Sequence, residues 1–442
     1  MTSTSRRRRT RVAPTYAALK PRRVEAGLVL MVGVVIVVAY ALASFGASAS
    51  IPANLGPFLV WMLVLLLIAH VATRRLAPAA DPVMLPMALL LNGIGYVMIA
   101  RLSNDVPGGS DLAGLQSTWT AVGIGAYIGT LIVVPRVRIL ASYRYLLGLS
   151  GLALLALPLV PSFGRQINGA RIWASVGPIN FQPGEFAKIA LAAFFAAYLV
   201  ESRELLRTRL ELRDLAPVGV AWVGSLAIMV LERDLGSSLL FFTLFVVVLW
   251  VASERALFLG IGAVLFAGGA VLAWSMFTHV QQRVDIWRDP WASPKGDGFQ
   301  IVEASFALAD GGLTGTGLGQ GEPDRIPFVE SDFIFAAVGE ELGLAGSTAI
   351  LMTFLILIGS GLRVALRADR PFEKLFAVGL TTLLGVQAFI IMGGVLRVVP
   401  LTGITLPFVS YGGSSLVANY VLLALLMRMS HEQRVEPMPA TS

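Results

Sequence analysis

The sequence predicts an all-α protein, a polytopic membrane helix bundle of about twelve transmembrane helices with one large extracytoplasmic loop. Of the 442 residues, 56% are hydrophobic and 14% are charged, and the mean hydropathy is +0.76. These values lie outside the range of ordinary soluble domains. Twelve apolar stretches of roughly 16 to 24 residues follow one another, near the roughly 20 residues that span the hydrocarbon as a helix.

The apolar stretches lie between two polar tails, predicted at residues 1–23 and 431–442. The first two stretches fall within residues 24–75 and precede a core at residues 76–430. The seventh and eighth are separated by four residues, so they form either a tight hairpin or a re-entrant pair. The predicted spans are residues 24–45, 57–73, 83–100, 118–134, 144–161, 186–200, 216–231, 236–252, 256–277, 342–362, 375–397 and 408–427.

The basic residues predict a cytoplasmic membrane protein with both termini in the cytoplasm. If twelve spans alternate, 24 of the 34 Lys and Arg residues lie on the side of the N-terminus. Short basic loops mark the cytoplasmic side, and anionic lipid headgroups account for the net charge of +7. The tract Arg6-Arg7-Arg8-Arg9-Thr10-Arg11 could bind nucleic acid, but a disordered topology anchor is the preferred interpretation, and no nucleic-acid partner is expected.

Several kinds of chemistry are excluded by composition. The chain contains no cysteine, which excludes thiol chemistry, disulfides and iron–sulfur clusters. Its three histidines, His70, His279 and His431, are scattered and do not suggest a zinc site. The sequence lacks S-x-x-K, so this chain does not supply the acyl-serine chemistry of peptide cross-linking.

Two long connections are predicted on the outer side, at residues 162–185 and 278–332. Both are rich in Gly, Pro, Trp and Arg, and long loops of this kind usually carry function. In the first, Arg171 can fork onto phosphate oxygens. Trp173 can stack on a sugar or lie at the lipid headgroups, and simple interfacial anchoring is an equal alternative for it.

Other polar groups stand at the rims of apolar stretches. Glu185 and Lys188 are three residues apart and are expected to pair on one helix face, in a binding role or a structural one. Arg233 belongs to a charged outer turn that could equally be solvated. The glycine-rich residues 311–321 do not fit a nucleotide-binding motif; a tight or flexible loop is preferred to a phosphate-binding nest.

Asp332 is the first candidate for a catalytic residue. It lies where the second outer loop enters an apolar stretch, and an ionisable group at the rim of a membrane helix marks a site of chemistry or transport by default. The residues that could converge with it are Glu340, Glu341, Arg283, Arg325 and Arg397. The alternative is that Asp332 only complements the dipole of a helix N-terminus.

Six ordered motifs resemble those of the SEDS family (shape, elongation, division and sporulation), which comprises RodA, FtsW and SpoVE. The resemblance covers about residues 83–430 and leaves the first two spans as an addition to a ten-helix core. The motifs are Gly169-Ala170-Arg171 to Trp173, Phe181-Gln182-Pro183 to Lys188, Asp234-Leu235-Gly236, Ser331-Asp332-Phe333-Ile334-Phe335, Gly339-Glu340-Glu341-Leu342-Gly343 and Leu406-Pro407 to Ser415.

This resemblance implies a peptidoglycan glycosyltransferase that polymerises lipid II on the outer face of the cytoplasmic membrane, together with a class B penicillin-binding protein. It implies that Asp332 is the family's essential acid. The chain departs from the family pattern at Ser331, usually Thr, at Gly184, usually Ser, and at Ser293, where many members have Asp. Thr402 replaces a Lys common in division-type members, which favours the elongation type.

We therefore expect Asp332 to be the general base, with neighbouring cations that stabilise a departing diphosphate. A divalent cation could assist, and the need for a metal is left open. A flippase for a lipid-linked precursor and a non-catalytic scaffold that activates a transpeptidase are the alternatives. The side chains expected to bind substrate or diphosphate are Arg171, Trp173, Glu185, Lys188, Arg233, Arg283 and Arg397.

Overall fold

The described part of the chain in the computed structural model contains fifteen α-helices, three 3₁₀ helices of three residues each and one small sheet. The described residues are 19–48, 55–103, 111–167, 170–177, 179–203 and 215–435. Most of the predicted N-terminal tail, including Arg6–Arg9, lies outside them, as do Gly169 and the last seven residues. The helices are α1 Leu19–Ser48, α2 Leu55–Leu76, α3 Met84–Leu102, α4 Leu112–Val133, α5 Ile139–Ser142, α6 Arg144–Ala156, α7 Pro183–Glu201, α8 Ala216–Glu232, α9 Leu235–Ser253, α10 Leu257–Met276, α11 Thr278–Arg288, α12 Phe299–Gly311, α13 Ile334–Arg367, α14 Pro371–Val395 and α15 Gly413–Val435.

Nine helices of the described residues are long and apolar enough to cross a membrane: α1, α2, α3, α7, α9, α10, α13, α14 and α15. The three other expected spans coincide with α4, α6 and α8, of which α6 and α8 are shorter apolar helices. The multi-pass membrane class is confirmed, and the number of twelve spans stays a prediction. Both predicted tail boundaries fall inside helices, since α1 begins at Leu19 and α15 ends at Val435.

The first outer loop contains a three-stranded antiparallel sheet, which the sequence analysis did not predict. Its strands are β1 Gly164–Ile167, β2 Ala170–Val176 and β3 Ile179–Phe181, in the order β1-β2-β3. Arg165 pairs with Trp173 across the first two strands. The sheet packs against α7 and α8, so it covers one end of the bundle.

The connections gather at two opposite ends of the bundle. At one end, here the termini end, the backbone amide of Asp81 donates to Ser430 (3.0 Å) and that of Val137 to Glu432 (2.9 Å). This end collects the connections that follow α2, α4 and α13. All of these connections are predicted to be cytoplasmic. The structure therefore brings to one end the connections that the charge pattern assigns to one side of the membrane.

At the opposite end, here the loop end, the two long predicted outer loops meet the segment between α14 and α15. The backbone amide of Gln182 donates to the hydroxyl of Ser414 (2.9 Å). The guanidinium of Arg283 donates to the carbonyl of Leu401 (3.0 Å). Among the candidate spans of the described residues, α3, α7, α14 and α15 are the most buried. Side chains of α7, α14 and α15 hold polar segments of the loop end in place.

Candidate active site at the loop end

Asp332 lies in the turn that precedes α13. The turn is fastened to the segment after α14, because the amide of Tyr411 donates to the carbonyl of Glu330 (2.8 Å) and the hydroxyl of Ser410 donates to that of Ser331 (2.5 Å). No side chain caps the first turn of α13. The carboxylate of Asp332 is therefore not used as a helix cap, and it is held at the loop end by its backbone.

Arg283 of α11 faces the same point as Asp332. A Cβ atom built on Gly403 would lie 3.5 Å from Oδ2 of Asp332 and 3.6 Å from Nη2 of Arg283. Gly403 has a φ of +71°, a conformation that glycine adopts without strain. The two side chains thus converge on a position where the chain carries no side chain of its own.

The surroundings of Asp332 tune its acidity. Burial raises the pKa of its carboxyl group to about 6, while the Ser331 hydroxyl and the charge of Arg283 act in the opposite direction. A carboxylate with a pKa near neutrality is a stronger proton acceptor than an ordinary aspartate and is still ionised at pH 7. This balance suits a general base.

Asp234 is a second carboxylate near Arg283; it belongs to one of the six sequence motifs, but the sequence predicted no role for it. Its Oδ1 accepts from the backbone amide of Ser237 (2.9 Å) and so caps α9. Burial raises the pKa of Asp234, and Arg283 opposes the rise. A Cβ on Gly236 would lie 2.6 Å from Cγ2 of Ile404, so the helix start is pressed against the segment after α14.

The predicted pair of Glu185 and Lys188 is present in the first turns of α7. Nζ of Lys188 lies 2.6 Å from Oε2 of Glu185, and both residues are buried. Nζ also donates to Oε1 of Gln387 (2.8 Å), whose amide donates to the carbonyl of Thr405 (2.8 Å). The pair therefore anchors the segment that contains Gly403, a link that the sequence alone did not reveal.

The other predicted binding residues lie at the rim of the loop end. Arg171 and Arg233 are exposed, on β2 and at the end of α8, and Trp173 is half-buried on β2. Arg397 donates to the carbonyl of Trp287 (3.1 Å), and the indole of Trp287 donates back to the carbonyl of Arg397 (2.9 Å). Arg397 thus joins α11 to the turn after α14.

Glu340 and Glu341 do not join Asp332, contrary to the expectation from sequence. Oε2 of Glu341 accepts from the amide of Gly319 (2.9 Å), and Oε1 of Glu340 accepts from the amide of Glu322 (2.7 Å). Nε of Arg101 lies 3.2 Å from Oε1 of Glu341. The amides of Gly319 and Glu322 are buried or partly buried and need acceptors, and this need draws both carboxylates away from the site.

Within the described residues, no three acidic or histidine side chains are grouped so that they could hold a metal ion. A cavity of about 380 Å³ opens beside α11, next to the helix face that carries Arg283. Its lining residues are Gln282, Asp285, Ile286, Arg288, Asp289, Pro290, Ala292, Ser293, Asp297 and Gly298.

These features define a class: a multi-pass membrane protein with a carboxylate–guanidinium centre built from loops at one end of its bundle. Residues 82–435 match the family described as "Cell cycle protein", that of FtsW, RodA and SpoVE. The chain belongs to this family, which confirms the resemblance drawn from the motifs.

Several known proteins are similar to the chain. RodA of Mycobacterium tuberculosis, named peptidoglycan glycosyltransferase, is 45% identical over 437 residues, covering 96% of this chain and 93% of that protein. A probable FtsW of Geobacter metallireducens is 34% identical over 363 residues, covering 81% and 96%. The higher identity to the first agrees with the expected RodA-like character.

Solved structures agree with the family. A chain from a study of polymerisation and crosslinking by a peptidoglycan synthase complex has a TM-score of 0.67 and 29% identity, with 80% of this chain and 98% of that chain covered. RodA of Thermus thermophilus has a TM-score of 0.56 and 26% identity, with the same coverage. The helical membrane fold is therefore shared with these proteins.

Proposed function

We propose that Asp332 is the general base of the glycosyl transfer that this chain catalyses. The chain is a peptidoglycan glycosyltransferase, as its curated family relatives are named. The observation that supports the assignment of Asp332 is the convergence of its carboxylate and Arg283 on Gly403. A pKa raised by burial to about 6 fits the same role.

The proposed reaction begins with a sugar hydroxyl of one lipid II molecule, the acceptor. Asp332 takes the hydroxyl proton while the oxygen forms a bond to the anomeric carbon of a second lipid-linked unit. The bond from that carbon to the diphosphate breaks, and undecaprenyl diphosphate leaves with the electron pair. One direct displacement inverts the anomeric configuration, and a positioned base typically contributes about 10²–10⁴-fold to such a step.

The developing charge on the diphosphate needs nearby cations. Arg283 is the first of these, because it faces the same point as Asp332. Arg171, Arg233 and Arg397 extend the positive charge along the rim. Trp173 offers an aromatic face to a sugar at the same level.

Lys188 and Glu185 contribute in a different way. Their pair holds Gln387, and Gln387 holds the segment that contains Gly403. We assign to the pair the role of holding this segment, and therefore the binding site, in shape.

A polymerisation assay with purified protein and lipid II in detergent tests the assignment. Asp332→Asn is expected to lose about 10²–10⁴-fold in rate, because amide replaces the proton acceptor. Asp324→Asn is the matched control, since Asp324 is exposed in the same loop, and it is expected to polymerise normally. Wild-type rates for Asp332→Asn would refute the proposal.

The same assay separates the alternatives. A flippase would form no polymer from lipid II, and a scaffold would form polymer only in the presence of its partner. Polymer made by the isolated wild-type chain excludes both. If the isolated wild-type chain forms no polymer, the result would instead favour a flippase or a scaffold over the enzyme.

We further propose that the chain works in the cytoplasmic membrane with a class B penicillin-binding protein, both of its own termini cytoplasmic. The similar solved chain belongs to a complex described as coordinating polymerisation and crosslinking. A partner with one membrane helix would pack against lipid-facing spans, of which α10 is the most exposed. Gly268→Leu on α10 should then reduce co-purification, and Gly219→Leu on α8 serves as its control. Equal co-purification of both variants would place the partner elsewhere.

A further inference from the structure

The N-terminal hairpin, defined as α1 and α2, lies outside the family match, which begins at residue 82. The similar chain from the peptidoglycan synthase complex aligns over 98% of its own length but over 80% of the present chain. The mycobacterial RodA aligns with 96% of this chain, so it shares most of the hairpin. The hairpin is thus an addition to the family core, and nothing in the proposed reaction uses it.

At the termini end, the hairpin is fixed to the core through Arg22. Its guanidinium donates to the carbonyls of Pro78 (2.8 Å) and Ala80 (2.6 Å) and pairs with Glu25. Oε1 of Glu25 lies 2.8 Å from Nδ1 of His70 on α2. These buried polar contacts tie α1, α2 and the connection to α3 into one unit.

Midway along the bundle, α1 and α3 pack closely. A Cβ on Gly93 would overlap the side chain of Ile36. Nearer the loop end, the rings of Tyr40, Phe58 and Tyr96 form a cluster from all three helices, with centroids of Phe58 and Tyr96 4.6 Å apart. Helix α1 is therefore packed against its neighbours along its length, so a displacement of the hairpin would also move its last turn.

At the loop end, the last turn of α1 touches the glycine-rich loop backbone to backbone. A Cβ on Gly46 would overlap the carbonyl oxygen of Leu318, and one on Gly319 would overlap that of Ala43. Gly319 also has a φ of +79°. Neither glycine leaves room for a side chain, so any shift of α1 here must displace the loop.

The loop in turn holds the helical segment that follows Asp332. The amides of Thr316 and Gly317 donate to the carbonyls of Glu340 (2.9 Å) and Glu341 (3.1 Å). The amide of Gly319 donates to the carboxylate of Glu341. Residues 334–342 form the short first part of α13, between Asp332 and the break at Gly343. Contacts therefore run without interruption from α1 to the helical segment that directly follows Asp332.

We infer that the N-terminal hairpin positions the catalytic segment through the contact between Gly46 and the Leu318–Gly319 backbone. The inference rests on the proposed role of Asp332. Gly46 is a positioning residue, since it acts through the glycine-rich loop. Misplacement of a catalytic group by about 1 Å can cost about 100-fold in rate, so a forced shift of the loop should be measurable.

The test compares Gly46→Val with Gly27→Val, a control on the same helix. No atom lies within 4 Å of a Cβ on Gly27. Gly46→Val is expected to lower kcat about ten- to a hundredfold with KM for lipid II unchanged, and to shift the acid limb of the pH–rate profile. Hydrogen exchange of the 311–322 amides should become faster in that variant. Gly27→Val should match the wild type in every measurement.

Wild-type kcat, pH profile and exchange in Gly46→Val would overturn the inference, even if the variant melts at a lower temperature. If Gly46→Val does not accumulate, Gly46→Ala carries the same measurements, because the Cβ alone meets Leu318. If neither Gly46→Val nor Gly46→Ala accumulates, the contact serves stability only, and this result also overturns the inference. The role of Asp332 is tested separately by the polymerisation rate of Asp332→Asn. The hairpin of that variant is unchanged, and hydrogen exchange of its 311–322 amides should match the wild type.

Discussion

The carboxylate of Asp332 is subject to two opposing influences. Burial disfavours its charge and raises its pKa to about 6, while Arg283 and the Ser331 hydroxyl favour the charge. The burial effect is the larger, so the group is a better base than a solvated aspartate and remains mostly ionised at pH 7. Arg283 limits the rise in the pKa. Once Asp332 is protonated and neutral, the guanidinium can stabilise the negative charge that develops on the diphosphate.

The rate of lipid II polymerisation should fall as pH decreases through about 6, because a protonated Asp332 cannot accept a proton. Arg283→Gln removes a charge that lowers the pKa of Asp332, so it should move this acid limb to higher pH. Arg283→Lys keeps the charge and should move it less. Initial rates between about pH 5 and pH 8 measure the limb. An acid limb at the same pH in Arg283→Gln would contradict the electrostatic coupling.

The buried pair of Glu185 and Lys188 should be costly to break. Lys188→Met leaves a buried carboxylate without its partner and should lower the free energy of unfolding by about 3–5 kcal/mol. The double variant with Glu185→Gln should recover much of this loss. Arg203→Met is the control, since its pair with Glu254 is partly exposed, and it should change stability by about 0–1 kcal/mol. Denaturation in detergent provides the measurement, and equal losses in both single variants would contradict the expectation.

At this scale the sequence predicted Asp332, Arg283 and the Glu185–Lys188 pair, because charged side chains beside apolar stretches stand out. It did not predict the use of Asp234 or Gln387. From the sequence alone, Asp234 is one charge of a charged turn. In the structure it caps α9 and lies close enough to Arg283 for the two charges to interact. Gln387 lies within an apolar stretch, where only tertiary contacts show what an amide binds.

At the scale of elements, α13 is broken at Gly343, shortly after the turn that contains Asp332. Gly343 has φ 65° and ψ −164°, inside what is otherwise a helix of 34 residues. The first part of α13 can therefore take its own direction, and the amides of Leu344 and Ala345 donate to the carbonyls of Gly312 and Leu313 (2.9 and 3.1 Å). The glycine-rich loop satisfies the backbone groups that the break exposes.

Gly343→Ala should damage both stability and activity. That backbone conformation is essentially restricted to glycine, and forcing another residue into it costs about 1–3 kcal/mol. A Cβ there would also overlap the amide of Gly315. Gly359→Ala, in the regular part of the same helix with open space around it, should be neutral or stabilise by up to about 1 kcal/mol. Melting temperature and polymerisation rate report both effects, and a wild-type result for Gly343→Ala would show that the break is dispensable.

The elements that the sequence predicted well are the long apolar helices, whose length and composition are sufficient. The sheet of the first outer loop was missed because its strands have three to seven residues and depend on pairing for their form. The place of Glu340 and Glu341 was also missed. Both residues follow Asp332 closely along the chain, but the acceptor needs of a distant loop decide where they point.

At the scale of the whole molecule, two properties of the sequence agree with the architecture. Among the described residues, the basic connections that follow α2, α4 and α13 collect at the termini end, and the segments with the candidate site collect at the loop end. Such separation follows when basic loops are retained on one side of a membrane during insertion. The packing of the hairpin on the core could not be predicted, since it depends on close backbone contacts such as that of Gly46.

The orientation of the whole molecule can be tested because the chain has no cysteine. Ser293→Cys places one thiol in the exposed part of the second long loop, and Asp369→Cys places one in the exposed turn between α13 and α14. If basic loops are cytoplasmic, a membrane-impermeant maleimide should label Ser293→Cys in intact cells. It should label Asp369→Cys only after the membrane is permeabilised. Neither position belongs to the proposed catalytic or substrate-binding residues, so both variants should retain polymerase activity. The reverse labelling pattern would put the carboxylate site on the cytoplasmic side and would remove the basis for polymerisation at the outer face.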